Sequence, residues 1–322
     1  MNMLILSAGT RNKIVQYFKK ELTGKGKVIA TDCSELAPAI YEADNYYIVP
    51  KINEPNYIDT IIEISKKEKI KALISLIDPE LSLIAKNAEK FKEIGVIPIL
   101  SNHEKVEMCF DKYAMYKFLQ ENNVLTAKTY IEKETFYQEL KQKKINFPVF
   151  VKPVRGSASL NIKKISTAEE LELVWKQEEK LMIQEFMNGQ EYGADVYIDM
   201  ISNEPVAIFT KKKIKMRAGE TDKSVSIKDN KLFELIKKFV KKAGFKGIID
   251  IDIFEVDGKY YISEVNPRFG GGYPHAYECG VNVPKMIINN INGQINEEQI
   301  GNYNENIYMM KYNEIKTTKL LK

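Results

Sequence analysis

Between positions 249 and 268 the chain runs Ile249-Asp250-Ile251-Asp252-Ile253-Phe254, turns at Asp257-Gly258, and continues Tyr260-Tyr261-Ile262-Ser263-Glu264-Val265-Asn266-Pro267-Arg268. Two apolar runs joined by Asp-Gly predict a β-hairpin. Acidic residues are depleted in strands, and a carboxylate left unpaired among isoleucine and valine is costly. Asp250, Asp252 and Glu264 therefore call for something cationic facing them. A three-residue loop, with Gly258 supplying the positive dihedral of a bulge, would set Asp252 opposite Glu264 and Asp250 opposite Asn266 on one face. Such a hard-oxygen cluster suits magnesium, which takes carboxylates together with phosphate oxygens and retained waters. A two-residue turn would put Asp252 and Glu264 on opposite faces and break the cluster. The plainer alternative is a structural ion-pair network with nearby lysine and arginine.

Four further stretches carry chemistry of the same kind. Phe147-Pro148-Val149-Phe150-Val151-Lys152-Pro153 leads into Arg155-Gly156-Ser157-Ala158-Ser159, a strand that delivers a lysine to a small-residue turn. Backbone amides there can approach phosphate oxygens while the ammonium neutralises charge. The spacing is not that of a Walker loop, and a Gly/Ser hairpin turn with an exposed lysine is the alternative. Ile183-Gln184-Glu185-Phe186-Met187-Asn188-Gly189-Gln190-Glu191-Tyr192 could bind a purine through main-chain groups and a ribose through Glu191, or be a solvated linker with incidental acids. Lys211 to Arg217 is a basic run that is either a solvated face or a loop of cations closing on a phosphate and a substrate carboxylate. Gly270-Gly271-Gly272 could cradle an anion with its amides or allow a tight reversal, and His275 beside it is either a substrate contact or packing. Gly9-Thr10-Arg11 lacks the later glycines of a dinucleotide fingerprint and is assigned no role.

The elements that must position these residues follow from periodicity. Apolar runs at Met3 to Ser7, Lys27 to Thr31, Tyr46 to Val49, Ala72 to Leu76 and Val96 to Leu100 alternate with helical patterns, which predicts a parallel α/β unit closing near Asn102. A helix from about Asp111 to Asn122 precedes a small lobe with strands at Phe147 to Lys152, Ile162 to Ile165 and Met182 to Phe186 and a helix near Ala168 to Lys176. Beyond Tyr192, strands at Ala194 to Ile198, Val206 to Phe209, Ile248 to Glu255 and Tyr260 to Val265 predict an α+β unit with an antiparallel sheet. The 322 residues, 44% hydrophobic and 29% charged, exceed the usual single core and argue for two or three packed units. The 48 Lys plus Arg against 44 Asp plus Glu are spread along the chain, which argues against a nucleic-acid partner. Cys33, Cys109 and Cys279 are odd in number and far apart, against a disulfide framework or a structural zinc and in keeping with a reducing cytoplasm. Neither an export signal nor a membrane span is expected.

Taken in order, Lys112, Lys152, the Gly156 to Ser159 turn, Gln184 to Met187, Glu191, Asp252 and Glu264-Val265-Asn266-Pro267-Arg268 resemble the ATP-grasp superfamily, over essentially the whole chain. Met216-Arg217-Ala218-Gly219-Glu220-Thr221-Asp222-Lys223-Ser224 and Asn266 to His275 are similar in particular to the stand-alone carbamoyl-phosphate-synthase-like proteins. The resemblance implies three units: a Rossmann-like pre-ATP-grasp domain at 1–102, a linker helix and lid lobe at 103–184, and a C-terminal α+β lobe at 185–322. It further implies that Lys112 and Lys152 contact phosphates or the adenine edge, that Gly156, Ser157, Ala158 and Ser159 cover the phosphates, that Glu185, Phe186 and Met187 line adenine, and that Glu191 holds ribose. Asp252, Glu264 and Asn266 would ligate magnesium, or manganese in its place, and Arg268 would stabilise the phosphate in transfer. Arg217 would meet the substrate carboxylate, with Gly270, Gly271, Gly272 and His275 also at the substrate. The activity implied is an ATP-dependent carboxylate-amine ligase that makes an acyl phosphate and releases ADP, with a homodimer as its assembly. The alternatives are an enzyme that phosphorylates a carbamate or carboxylate and releases the product, or a nucleotide-binding regulator without catalysis.

Overall fold

The computed structural model describes residues 1–156, 161–176 and 180–319. Five short parallel strands, β1 (Asn2–Leu6), β2 (Val28–Asp32), β3 (Asn45–Ile48), β4 (Ile70–Ser75) and β5 (Ile97–Pro98), lie in the order β3-β2-β1-β4-β5. Helices cover both faces, so the central strand is apolar on both. Met3 and Ile5 pack with Val15 and Phe18 of the helix Asn12–Leu22, while Leu4 and Leu6 pack with Ile61 and Ile84 on the other side. Because the chain moves outward from β1 to β3 and then returns to β4, a crevice opens between the carboxyl ends of β1 and β4. In sheets of this kind that switch point is where ligands gather.

The second sheet has four strands, β6 (Thr129–Tyr130), β7 (Val149–Pro153), β8 (Lys163–Ile165) and β9 (Leu181–Glu185), in the order β6-β9-β7-β8. Its own core holds Phe136, Val149, Val151, Leu171 and Ile183. The third is antiparallel and six-stranded: β10 (Gln190–Ile198), β11 (Pro205–Arg217), β12 (Glu220–Ile227), β13 (Gly247–Val256), β14 (Lys259–Asn266) and β15 (Tyr308–Met310), ordered β14-β13-β10-β11-β12-β15. A helix at Asn230–Ala243 backs it. The Asp229 side chain accepts from the Lys231 and Leu232 amides at its start, and Gly244 at φ 70° ends it. Its stripe Leu232, Phe233, Ile236, Phe239 and Val240 is buried, at about 2 kcal/mol of favourable transfer per side chain.

Two expectations change on the structure. The Asp257-Gly258 turn is the two-residue kind, with both residues at positive φ (49° and 71°) between Val256 and Lys259. The pairing nevertheless brings Asp252 opposite Glu264 and Asp250 opposite Asn266, because the extra residue enters at Ser263, where the register shifts between Asp252 and Ile253. A bulge inside β14, rather than a longer loop, restores the shared face. The basic run is neither a loop nor a fully solvated face: it is the outer half of β11, in which Lys211 and Lys213 are buried and Lys212 between them is exposed.

Candidate active site

Asp252 and Glu264 occupy opposed positions on β13 and β14, and side chains opposite one another in a sheet share a face. Lysines from three other elements meet them. Lys213 of β11 places its ammonium 2.5 Å from Asp252 and 2.7 Å from Glu191 of β10. Lys112, the first residue of the helix Lys112–Glu121, lies 3.6 Å from Glu264 and donates to the Gly156 carbonyl. That helix starts where it does because the Asp111 side chain accepts from the Tyr113 and Ala114 amides. Lys152, from β7, is buried, and burial lowers its pKa, opposed by Glu264 and reinforced by Lys112. Burial raises the Glu191 carboxyl despite Lys213. For Lys213 itself burial works against the charge, yet Asp252 and Glu191 hold its pKa above normal.

The connection from β9 to β10 links the second sheet to the third, and a cleft of about 650 Å³ lies beside it. Glu185, Phe186 and Met187 line that cleft together with Tyr116, Leu125 and Tyr261. The Glu185 carboxylate accepts from the Lys128 amide at 3.1 Å, and Lys164 sits 4.1 Å above the Phe186 ring. Ser157, Ala158 and Ser159 lie outside the described residues, so only Gly156 of the expected phosphate turn is placed.

At the other end of the charged group the parallel sheet contributes residues that carried no expectation. Asp78, on the first turn of the helix Asp78–Lys86 after β4, accepts from Arg268 Nε and from a terminal nitrogen, each at 2.9 Å. Arg268 also donates to the Asn266 side chain and the Phe269 carbonyl, committing four of its five N–H groups. Burial would lower its pKa, but Asp78 keeps it raised. Glu80, two residues on and fully buried, receives the hydroxyls of Ser7 (2.8 Å), Ser75 (2.5 Å) and Tyr57, which anchors the turn that presents Asp78. Arg11, at the switch point after β1, pairs with Glu220 of β12 at 2.8 Å, and Lys311 holds the second oxygen of Glu220 at 2.7 Å. Lys211 and Asp195 form a fully buried pair in which Asp195 Oδ1 has no hydrogen-bond partner among the described residues.

Asp250 stands in the middle of this end. Burial, followed by the neighbouring carboxylates Asp252 and Asp195, pushes its pKa up to about 7. The glycine triplet packs over it: a β-carbon at Gly270 would collide with the Asp250 carboxyl, Gly271 lies against Glu220 and Arg11, and Gly272 lies against the Lys211 side chain.

Two predicted substrate residues are not brought to this cluster. Arg217 ends β11 at the hairpin tip, half-exposed, 3.0 Å from Asp222. His275 is buried, with Nδ1 2.8 Å from the Ser224 hydroxyl and Nε2 2.9 Å from the Ile307 carbonyl, and its ring packs 5.0 Å from that of Phe209. Arg11, Asp78, Lys211 and Lys213 are the functional candidates that motif spacing missed. Three consecutive lysines carry no alternation, so nothing in the sequence separates the buried Lys211 and Lys213 from the exposed Lys212.

The donor set fits a hard divalent cation. Asp252 and Glu264 share a face with Asn266, and magnesium needs no more than one or two carboxylates when phosphate oxygens and waters complete its shell. Among the described residues there is no group of three or more His, Cys, Asp or Glu that could enclose a metal without such outside ligands.

Residues 3–99 match the PylC-like N-terminal domain, and residues 109–272 match the ATP-grasp domain. The arginine-specific large chain of carbamoyl phosphate synthase from Geobacillus stearothermophilus is 24% identical over 228 residues, 67% of this chain and 21% of that one. The chain thus spans about a fifth of the length of that relative. Among solved structures, biotin carboxylase from Campylobacter jejuni superposes at TM-score 0.76 with 16% identity, covering 95% of this chain and 74% of the other. The biotin carboxylase domain of 2-oxoglutarate carboxylase from Hydrogenobacter thermophilus, a dimer in complex with MgADP and bicarbonate, superposes at 0.73 with 17% identity, covering 95% and 73%.

Proposed function

The chain belongs to the ATP-grasp family, and from that premise we propose that it is an ADP-forming ligase joining a small-molecule carboxylate to an amine. The observation that carries the proposal is the in-register pair Asp252 and Glu264, ringed by Lys112, Lys152 and Lys213, next to a cleft lined by Glu185 to Met187. A substrate carboxylate oxygen bonds to the γ-phosphorus of ATP while the bond from that phosphorus to the β–γ bridging oxygen breaks and ADP leaves with the electron pair. The amine nitrogen then bonds to the acyl carbon, the bond from carbon to the phosphate oxygen breaks, and inorganic phosphate leaves. An amine entering as ammonium sheds two protons overall.

Phosphoryl transfer of this type needs positioning and charge neutralisation more than a side-chain nucleophile. Lys112 and Lys152 supply positive charge at the phosphates, Glu185 to Met187 hold the base, and Glu191 meets the ribose. Arg268, fixed by Asp78, Asn266 and the Phe269 carbonyl, keeps one N–H for the transferring group. Asp252, Glu264 and Asn266 would hold magnesium, which neutralises phosphate charge and lowers the cost of parting the β- and γ-phosphates. Manganese in its place, the Gly270 to Gly272 amides at the carboxylate, units at 1–102, 103–184 and 185–322, and a homodimer belong to the same proposal; Arg217, held by Asp222 at the hairpin tip, does not. Among the described residues no helix is long and apolar enough to cross a membrane.

The test is ADP release from ATP and magnesium across a panel of amino acids and sugar acids, with mass detection of the amide. One acid that stimulates ADP release, and one amine that converts it to an amide, establish the ligase. Stimulation without an amide from any amine favours release of the acyl phosphate instead.

A further inference from the structure

Among the described residues, every cation of the charged group except the buried Lys152 is already held. Lys211 is paired with Asp195, Lys213 with Asp252 and Glu191, Arg268 with Asp78, and Arg11 with Glu220. Glu264 has Lys112. Asp250 is the acid left over: among the described residues it has neither a hydrogen-bond donor nor an ion-pair partner, and what it meets is the charge of its neighbours at longer range. It is not sealed in the core either, because part of its surface remains accessible from the cleft face that it shares with Asp252. A carboxylate kept partnerless in such surroundings is costly unless a cation arrives with a ligand.

Its neighbours indicate which ligand. Lys152, at the phosphate end, feels Glu264, Lys112 and Asp252. Arg11, at the far end, feels Glu220, Arg268, Asp250 and Asp78. Asp250 thus reaches the end built from the switch-point residues Arg11 and Asp78 and the glycine triplet, while standing opposite Asn266 of β14 and two residues along β13 from Asp252. The Gly270 backbone rests directly on its carboxyl. A carboxylate set against Asp250 itself would be repelled, whereas the ammonium of an amine approaching an acid held by the neighbouring glycine amides would be attracted.

We propose that Asp250 is the recognition group for the ammonium of the amine substrate, so that the amine is an organic cation such as an amino acid or a diamine and not a neutral nucleophile. This rests on the ligase reading above. Asp250 binds the ammonium, and no proton transfer is assigned to it.

The test uses the full-length protein with ATP, magnesium and the acid found to stimulate ADP release. The nucleophile is either hydroxylamine, uncharged at neutral pH, with hydroxamate as the product, or each of the twenty amino acids and putrescine, with the amide as the product. In Asp250→Asn, and equally in Asp250→Ser, KM for the charged amine should rise by about 10- to 100-fold while hydroxamate formation stays within about threefold of wild type. Loss of hydroxamate formation together with amide formation would make Asp250 a metal ligand or a structural residue and overturn the inference. So would an unmoved amine KM in both variants, provided that the wild-type protein makes the amide. If no acid stimulates ADP release in the wild-type protein, the ligase reading fails and this inference falls with it. Melting temperatures of both variants at or above wild type separate recognition from misfolding.

Discussion

Asp199 and Asp250 serve the same antiparallel sheet, and their surroundings could hardly differ more. Asp199, just past the end of β10 and fully buried, accepts five hydrogen bonds: from the Ile201, Ser202 and Asn296 amides and from the side chains of Asn290 and Asn296. Burial opposes its charge, but those donors bring its pKa down to about 2. Asp250 has no donor among the described residues and is pushed up to about 7. Where an acid serves the fold, the sequence surrounds it with amides. Asp250 is the acid for which the fold supplies no such amides among the described residues. At the start of the same strand β10, Glu191 is held by Lys213 at 2.7 Å, whereas the strand's far end is closed by Asn290 and Asn296.

That contrast can be broken by substitution. The largest effect belongs to the cleft: Glu264→Gln should lower turnover by about 10³-fold, roughly 4 kcal/mol of transition-state stabilisation, without lowering the melting temperature. Steady-state ADP release and calorimetry on the same preparation check both halves, and a variant that melts early would move Glu264 to the structural class. Asp199→Ala should do the reverse, losing about 3 kcal/mol in urea unfolding because five donors are stranded, with KM for ATP unchanged in the folded fraction.

His275 sharpens the comparison by pH. Burial, then Lys211, lowers its pKa to about 4, from 6.5 in an unfolded chain. The unfolded state thus binds the proton more tightly between those values, and stability falls as pH drops through that window. Acidifying from pH 7 to 5 should cost about 2 kcal/mol through this residue. The wild-type curve should therefore fall more steeply than that of His275→Gln, and parallel curves would deny the lowered pKa. The smallest effect is at Asp250: the Asn variant should gain about 1 kcal/mol at pH 7, because a carboxylate without donors is removed. Destabilisation there would mean that a partner holds it.

Much of the framework was legible because it rests on local pattern. Alternating apolar runs specified the five parallel strands, and three polar groups stranded among isoleucine, valine and proline marked Asp252, Glu264 and Asn266. The register came out right for the wrong reason, since the bulge at Ser263 leaves no local trace and only the Asp-Gly turn announces itself. The charged partners were illegible for a different reason. Asp78 and Arg268 lie 190 residues apart, and Arg11 meets Glu220 across a similar distance, so no spacing rule connects them. Lys211 and Lys213 were hidden in a basic run whose apolar members, Ile214 and Met216, lie on the exposed face, so its alternation pointed the wrong way.

The central claim is transfer of the γ-phosphoryl group, and the nucleotide product tests it most directly. With the stimulating acid, the amine, ATP and magnesium present, chromatography of the reaction should show ADP and phosphate formed in step with the amide and no AMP. AMP and pyrophosphate in stoichiometric yield would mean attack at the α-phosphorus, and would contradict the roles assigned to Lys112, Lys152, Asp252, Glu264 and Arg268 together.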